Sequence, residues 1–287
     1  MGKTIVFVHG AWLTPLCWEK FAAYFRKKGF KCIAPAWPYH DAPIEKLRSA
    51  PAKGLSNLGI TEIVDHYDKI IRGMEEPPIL IGHSFGGLFV QMLLDRGLGS
   101  AGIAISSAPP KGILPLYFSV IKSISSMVAV TPFGGRTVQA LPFKDFQYAF
   151  AHTLPLKEQR AIYEKYMVPE TRRIFFEALA SLFTDTAAVG FGNGKRSPLL
   201  LIAGGLDRIC PAPQVLKNYG KYANSRAKTD YKEFGDRAHW ITEGDGCEEI
   251  AEYIFEWLKG QAAAKPKRGQ KHARHHEDLE KRGRSQG

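Results

Sequence analysis

Residues 77–97 run PPILIGHSFGGLFVQMLLDRG, and their reading decides the fold. A short apolar run stops at Gly82 and an apolar helical pattern begins at Leu88, so the chain turns from strand to helix across Gly82-His83-Ser84-Phe85-Gly86-Gly87. A G-x-S-x-G pentapeptide recurs by chance, but between a strand and a helix it has a mechanical meaning. A turn this tight strains the backbone of its central residue. The residues two positions away must be small so that strand and helix can approach. The strain would present the Ser84 hydroxyl at the edge of a sheet, at the positive end of the following helix.

Outward from this turn, TIVFV (4–8) is a β-branched run ending at His9-Gly10. KCIAPA (31–36), AGIAISSAP (101–109), SPLLLIAGG (197–205) and KTDYKEFG (228–235) read as further strands. Helical spacing covers 17–28, which stops at Gly29, as well as 61–74 behind Thr61 and the closing stretch 246–259. Six strands alternating with helices predict an α/β fold, a mostly parallel central sheet with helices on both faces. Periodicity leaves the strand order open.

Between Pro110 and Lys195 the alternation breaks into helical patterns such as LKEQRAIYEKYM (156–167) and ETRRIFFEALASLF (170–183). Residues 110–190 contain twelve aromatics, all Phe or Tyr. A helical, aromatic-rich insert after a sheet strand reads as a cap, because ligands bind beyond the carboxyl ends of parallel strands; additional core packing is the plainer alternative. The expected domains are a core of residues 1–109 and 196–260, a cap of 110–195, and a disordered basic tail of 261–287.

The net charge of +11 is partly a property of that tail, which has eight basic and three acidic side chains, +5, and leaves +6 on residues 1–260. A mildly basic body and a basic tail without interleaved aromatics do not describe a specific nucleic-acid binder. The tail would make at most a weak contact with an anionic surface. Its histidines, His272, His275 and His276, have no fixed geometry for a metal. Cys17, Cys32, Cys210 and Cys247 are scattered, without the pairing of a zinc site or the density of a disulfide scaffold. No apolar stretch approaches the roughly 18 residues of a transmembrane segment. The first apolar run lacks a cleavage site, so the expected location is cytoplasmic. GFGNGKRS (190–197) departs from a phosphate loop at Val189 and Arg196.

A serine hydroxyl is a poor nucleophile without a base in hydrogen-bond reach. Of nine histidines, three lie in the tail, His152 in the insert, His66 on a helix and His40 in the long loop 38–59. His9 would shape the turn before Gly10, and His83 is the variable residue of the Ser84 turn. His239 follows the last strand by a short turn and could reach back over the sheet. Its imidazole needs a carboxylate to set the tautomer and stabilise the imidazolium. Asp207, just after SPLLLIAGG, is the best placed. Asp236 is too local to orient the ring, and Asp185 ends an insert helix as a solvated cap. Ser84, Asp207 and His239 stand in the nucleophile–acid–base order of such folds. Two further donors must face the developing oxyanion, and the backbone N–H groups of Phe85 and Ala11 are the candidates. Trp12 and Phe85 flank this point; Trp12 is a candidate substrate contact or packs beneath the insert.

FVHGAW, GHSFGG, GGLDRICP and RAHW, in this order and spacing, resemble the α/β-hydrolase superfamily over roughly residues 3–260. HGAW with Trp18 and a helix ending KKGF is similar to the branch of small esterases and hydroxynitrile lyases with a helical cap. The resemblance implies Ser84 as nucleophile, His239 as base and Asp207 as acid, with neither cofactor nor metal. Dehalogenases and epoxide hydrolases of the superfamily have an Asp where Ser84 stands. The tail has no counterpart in the family pattern.

The expected activity is hydrolysis of a carboxylic ester or lactone with an apolar or aromatic portion, a small-molecule substrate, through an acyl-enzyme on Ser84. Carbon–carbon hydrolysis, cyanohydrin cleavage and a non-enzymatic receptor that retains the pocket are the alternatives.

Overall fold

The computed structural model describes residues 3–114, 117–128 and 137–263. In chain order the elements are β1 (Thr4–Val8), α1 (Glu19–Lys27), β2 (Lys31–Ile33), α2 (Ile44–Ser49), α3 (Ile60–Arg72), β3 (Ile79–His83), α4 (Phe85–Asp95) and β4 (Ala101–Ile105). There follow α5 (Phe118–Val128), β5 (Val138–Gln139), α6 (Phe143–Ala149), α7 (Leu156–Tyr166), β6 (Glu170–Thr171) and α8 (Arg173–Ala180). The chain closes with β7 (Leu199–Gly204), α9 (Ala212–Lys221), β8 (Thr229–Phe234) and α10 (Cys247–Ala263).

The four most apolar runs, β1, β3, β4 and β7, are buried along almost their whole length, which requires cover on both faces of the sheet. Each Ile, Leu or Val side chain removed from water there contributes about 1.5–3 kcal/mol. These runs occupy the middle of a six-stranded sheet of order β2-β1-β3-β4-β7-β8, in which every neighbouring pair is parallel. Short β2 and half-exposed β8 form the edges. The helices α1 and α10 pack on each other, as do α3 and α4, and α4 also lies along β3 and β4.

The register explains why distant loops converge. Val8 pairs with Gly82, His83 with Ile105, and Ile105 with Ile202, so the strand ends are level. The segments leaving them, which begin at His9, Ser84, Ser106 and Gly205, emerge side by side.

Several details differ from the sequence expectation: the loop expected over 38–59 contains α2, and the helix expected behind Thr61 starts at Ile60 with Gly59 as its cap. The strand expected over 31–36 stops at Ile33, because Pro35 has no N–H to donate to a ladder. The segment between β4 and β7 is largely helical, yet it contains the antiparallel pair β5–β6, which joins Val138 to Thr171 and Gln139 to Glu170. Two-residue strands are too short to leave a period in the sequence. The last helix continues past Lys259 to Ala263. Of the basic tail, residues 264–287 lie outside the described residues, as do 115–116 and 129–136 of the insert.

Candidate active site

The backbone of Ser84 takes φ 57° and ψ −121°, a strained conformation of the order of 1–3 kcal/mol. Its neighbours hold it there. The Ser84 N–H donates to the Ile105 carbonyl at 3.0 Å, and the Ser84 carbonyl accepts from Gly87 at 3.0 Å and Ala108 at 3.0 Å. A Cβ on Gly86 would stand 2.1 Å from the Val8 carbonyl oxygen, so only glycine lets α4 approach the sheet this closely. The Ser84 hydroxyl makes no capping bond to α4 and faces a cavity. Phe85 opens α4, so its N–H has no acceptor within the helix.

The loop after β1 meets this turn. A Cβ on Gly10 would lie 2.8 Å from Ser84 Cβ. His9 is buried, and its Nε2 accepts the Trp37 N–H at 3.1 Å, which leaves the proton on Nδ1 to donate to the Gly10 carbonyl at 2.9 Å. Burial and the nearby His40 ring hold His9 well below the ordinary histidine range, so this neutral tautomer is the resting one. Because C=O and N–H are antiparallel across a trans peptide, fixing the Gly10 carbonyl also directs the Ala11 N–H. The next residue, Trp12, has φ 62°, and its ring packs on Phe175 at 4.7 Å and Phe150 at 5.8 Å, both from the insert.

His239 and Asp207 meet beyond the ends of β8 and β7. His239 Nδ1 lies 2.7 Å from Asp207 Oδ2, and both side chains are wholly buried. The other oxygen, Oδ1, accepts the N–H groups of Ile209 at 2.9 Å and Cys210 at 2.8 Å. Burial works to raise the Asp207 pKa, but the His239 imidazole and these two amides outweigh it and hold the carboxyl below its ordinary value. His239 Nε2 is buried with no hydrogen-bond partner among the described residues. The Phe150 ring stands edge-on to the imidazole at 4.8 Å.

His83, beside Ser84, plays a part that its variable position in the motif did not suggest. Its Nε2–H donates to the His239 carbonyl at 3.0 Å, and the two rings are 4.6 Å apart. Burial first, and then the His239 ring, push the His83 pKa down to about 3, so His83 is a neutral peg. It ties the residue before Ser84 to the backbone of His239. Only the fold brings these residues together, and no spacing in the sequence reports it.

The competing groups lie elsewhere. Asp185 is exposed and paired with Lys111 at 2.8 Å, and Asp236 is exposed beside Arg237 at 3.4 Å. His66 bonds to the Ala36 carbonyl at 3.1 Å. All four cysteines are buried and free. Among the described residues no group of three or more His, Cys, Asp or Glu side chains is arranged to hold a metal ion. No described helix is long and apolar enough to cross a membrane.

A cavity lies above Ser84. Trp12, Phe85, Val120, Ile124, Phe175 and Ile209 make most of its wall, so Ser84 presents a hydroxyl on an otherwise apolar surface. Trp12 and Phe85 thus line the cavity and pack against the insert at the same time.

A family model described as the alpha/beta hydrolase family matches residues 5–253. No curated protein sequence matches the chain. Solved structures share its fold at low identity. A methylesterase from Arabidopsis is 16% identical with a TM-score of 0.65, over 89% of this chain and 98% of its own. A monoacylglycerol lipase from Paleococcus ferrophilus is 22% identical with a TM-score of 0.64, over 90% and 94%. Tomato methylketone synthase I, complexed with 2-tridecanone, is 15% identical with a TM-score of 0.66, over 91% and 99%.

Proposed function

The chain belongs to the alpha/beta hydrolase family, and on that premise we propose that it is a serine hydrolase of carboxylic esters or lactones with an apolar or aromatic portion. Ser84 is the nucleophile, His239 the base and Asp207 the acid that orients it. The Ala11 and Phe85 N–H groups stabilise the oxyanion. The single observation that carries this reading is the division of labour on the His239 ring. Nδ1 is held by a charged, fully buried carboxylate, while Nε2 has no partner among the described residues and the ring packs 4.6 Å from that of His83, the residue before Ser84.

In the first half-reaction Ser84 Oγ bonds to the substrate carbonyl carbon as its proton passes to His239 Nε2. The carbonyl π pair moves onto oxygen, facing the Ala11 and Phe85 amides. Collapse expels the alcohol, which takes the proton from His239. Water then repeats the sequence on the acyl-enzyme and releases the acid. No hydrogen bond joins Ser84 Oγ to His239 Nε2 among the described residues. In sites of this kind that bond commonly tightens only when substrate is bound.

The lining of the cavity supports the substrate class. A wall of aromatic and aliphatic side chains takes an uncharged acyl or alcohol group and offers a buried ionic group no partner. Residues 110–195 form a cap over the core of 1–109 and 196–260. Val120, Ile124 and Phe175 from this stretch stand across the cavity from the Ser84 turn, which supports that division.

A fluorophosphonate tests the assignment. It is expected to phosphonylate Ser84 with loss of fluoride, to be blocked in Ser84→Ala, and to map by peptide digestion to residues 77–97. Label on another residue overturns it. A p-nitrophenyl ester of a short aliphatic acid should give a nitrophenol burst that Ser84→Ala abolishes. Ligand-induced thermal stabilisation without turnover would instead mark a receptor.

A further inference from the structure

We propose that Glu170, contributed by the insert, is a positioning residue for the oxyanion site: its carboxylate holds the Trp12 peptide and so fixes Ala11 between two clamped peptide planes. The proposal rests on the reading of Ala11 as an oxyanion donor.

Glu170 is completely buried, a position that a carboxylate adopts only with partners. Its Oε2 accepts the Trp12 N–H at 3.3 Å and its Oε1 accepts the Thr171 N–H at 2.8 Å. His40 Nε2 stands 3.2 Å from the same Oε2, while His40 Nδ1 donates to the Pro38 carbonyl at 3.2 Å. The Trp12 carbonyl is held as well, by the Val168 N–H at 2.8 Å. Both main-chain polar groups of Trp12 are therefore gripped by residues 168–170.

The grip matters because Trp12 sits at φ 62°, a backbone region that a bulky L-residue rarely adopts and leaves when released. The Trp12 N–H belongs to the peptide that follows Ala11. The peptide that precedes Ala11 is set by His9 through the Gly10 carbonyl. With both planes fixed, Ala11 has no freedom to swing its N–H away from the Ser84 turn. Take away the Glu170 anchor and the peptide after Ala11 loses its direct hold, leaving His9 on one side and the more distant Val168 bond to the Trp12 carbonyl on the other. Burial disfavours a charged His40, but the Glu170 carboxylate and the Pro38 carbonyl outweigh it and raise its pKa, which favours the imidazolium.

The decisive variant is Glu170→Gln. A carboxylate accepts on both oxygens, whereas an amide satisfies one backbone N–H and sets a donor against the other. With p-nitrophenyl butyrate, kcat is expected to fall roughly ten- to a hundredfold, as a misplaced donor implies, with KM within about twofold. A trifluoromethyl ketone reports the oxyanion directly. Ser84 Oγ adds to its carbonyl carbon, the π pair becomes the oxyanion, and the serine proton goes to His239. Its inhibition constant should rise by the same factor as kcat falls. Binding of the matching methyl ketone, which forms no stable adduct, should stay unchanged. Should Glu170→Gln not fold, His40→Gln keeps the carboxylate but removes its counter-charge, and a smaller change with the same pattern is expected. A folded variant with wild-type kcat and inhibition constant overturns the proposal, as does a rise in KM alone. If wild-type protein neither turns over the ester nor labels at Ser84, the hydrolase reading itself has failed.

Discussion

Among the described residues two histidine–carboxylate pairs are buried, His239–Asp207 and His40–Glu170, and they are built differently. In both, the carboxylate is buried and its oxygens take backbone N–H groups. The first pair is a short, directed contact of 2.7 Å, and the second is a looser ionic one of 3.2 Å. The larger difference lies on the far side of each ring. His239 Nε2 has no partner, whereas His40 Nδ1 is engaged by the Pro38 carbonyl. A histidine moves a proton only from a nitrogen that is free to meet one. On the proposed reading, the same pair of residue types supplies a base in one place and an electrostatic anchor in the other, according to what the second nitrogen meets.

The comparison breaks most easily at the rings. His239→Ala is expected to lower kcat on the order of 10⁵- to 10⁶-fold, the scale of a lost base in a serine triad. His40→Gln should lower it no more than about tenfold. Equal losses in the two variants would erase the distinction. Next in size is Asp207→Asn. The amide keeps the shape but can present a donor to Nδ1, which favours the wrong tautomer, and a kcat loss of about 10⁴ is expected with KM little changed. Circular dichroism should show the fold intact, because Ile209 and Cys210 can still donate to the amide oxygen.

The two pairs also differ in how far they could be read from the sequence. Ser84, His239 and Asp207 each sit in a loop that leaves the carboxyl end of a strand, and a parallel sheet brings such loops together whatever the details of packing. That is why a strand–turn–helix signal and the order of three residues sufficed to single them out. Glu170 carried no such signal. It opens the helical-looking stretch ETRRIFFEALASLF, where a carboxylate reads as an ordinary helix start. The helix begins instead at Arg173, and Glu170 belongs to β6. Its burial is decided by Trp12, 158 residues away. His83 was hidden for a similar reason, since its partner is a main-chain carbonyl 156 residues distant. Side chains placed by topology are legible, but those placed by a particular long-range packing contact are not.

The smallest effect separates the pairs by pH. The Asp207 carboxyl titrates lower in the folded protein than its ordinary 3.8, so its contribution is present above that value and is lost as pH falls through the folded pKa. His40 has the opposite sign. Its folded pKa lies above 6.5, so its contribution is complete below pH 6.5 and is lost as pH rises through the folded pKa. His9 and His83 act the other way: both are held below the ordinary histidine value and stay neutral in the fold, so each opposes folding where the unfolded ring is charged, and that penalty is relieved as pH rises through 6.5. Thermal melts from pH 6 to 9 should therefore separate the two proteins by slope: the Tm of His40→Gln should rise more, or fall less, with pH than that of the wild type. In His40→Gln the decline attributable to this ring should be absent, while the acid-side loss carried by Asp207 persists. A slope in His40→Gln identical to that of the wild type would mean that Glu170 holds the Trp12 peptide without help from a charged imidazole. The second pair would then reduce to a hydrogen-bonded carboxylate, and the contrast with His239–Asp207 would rest on geometry alone.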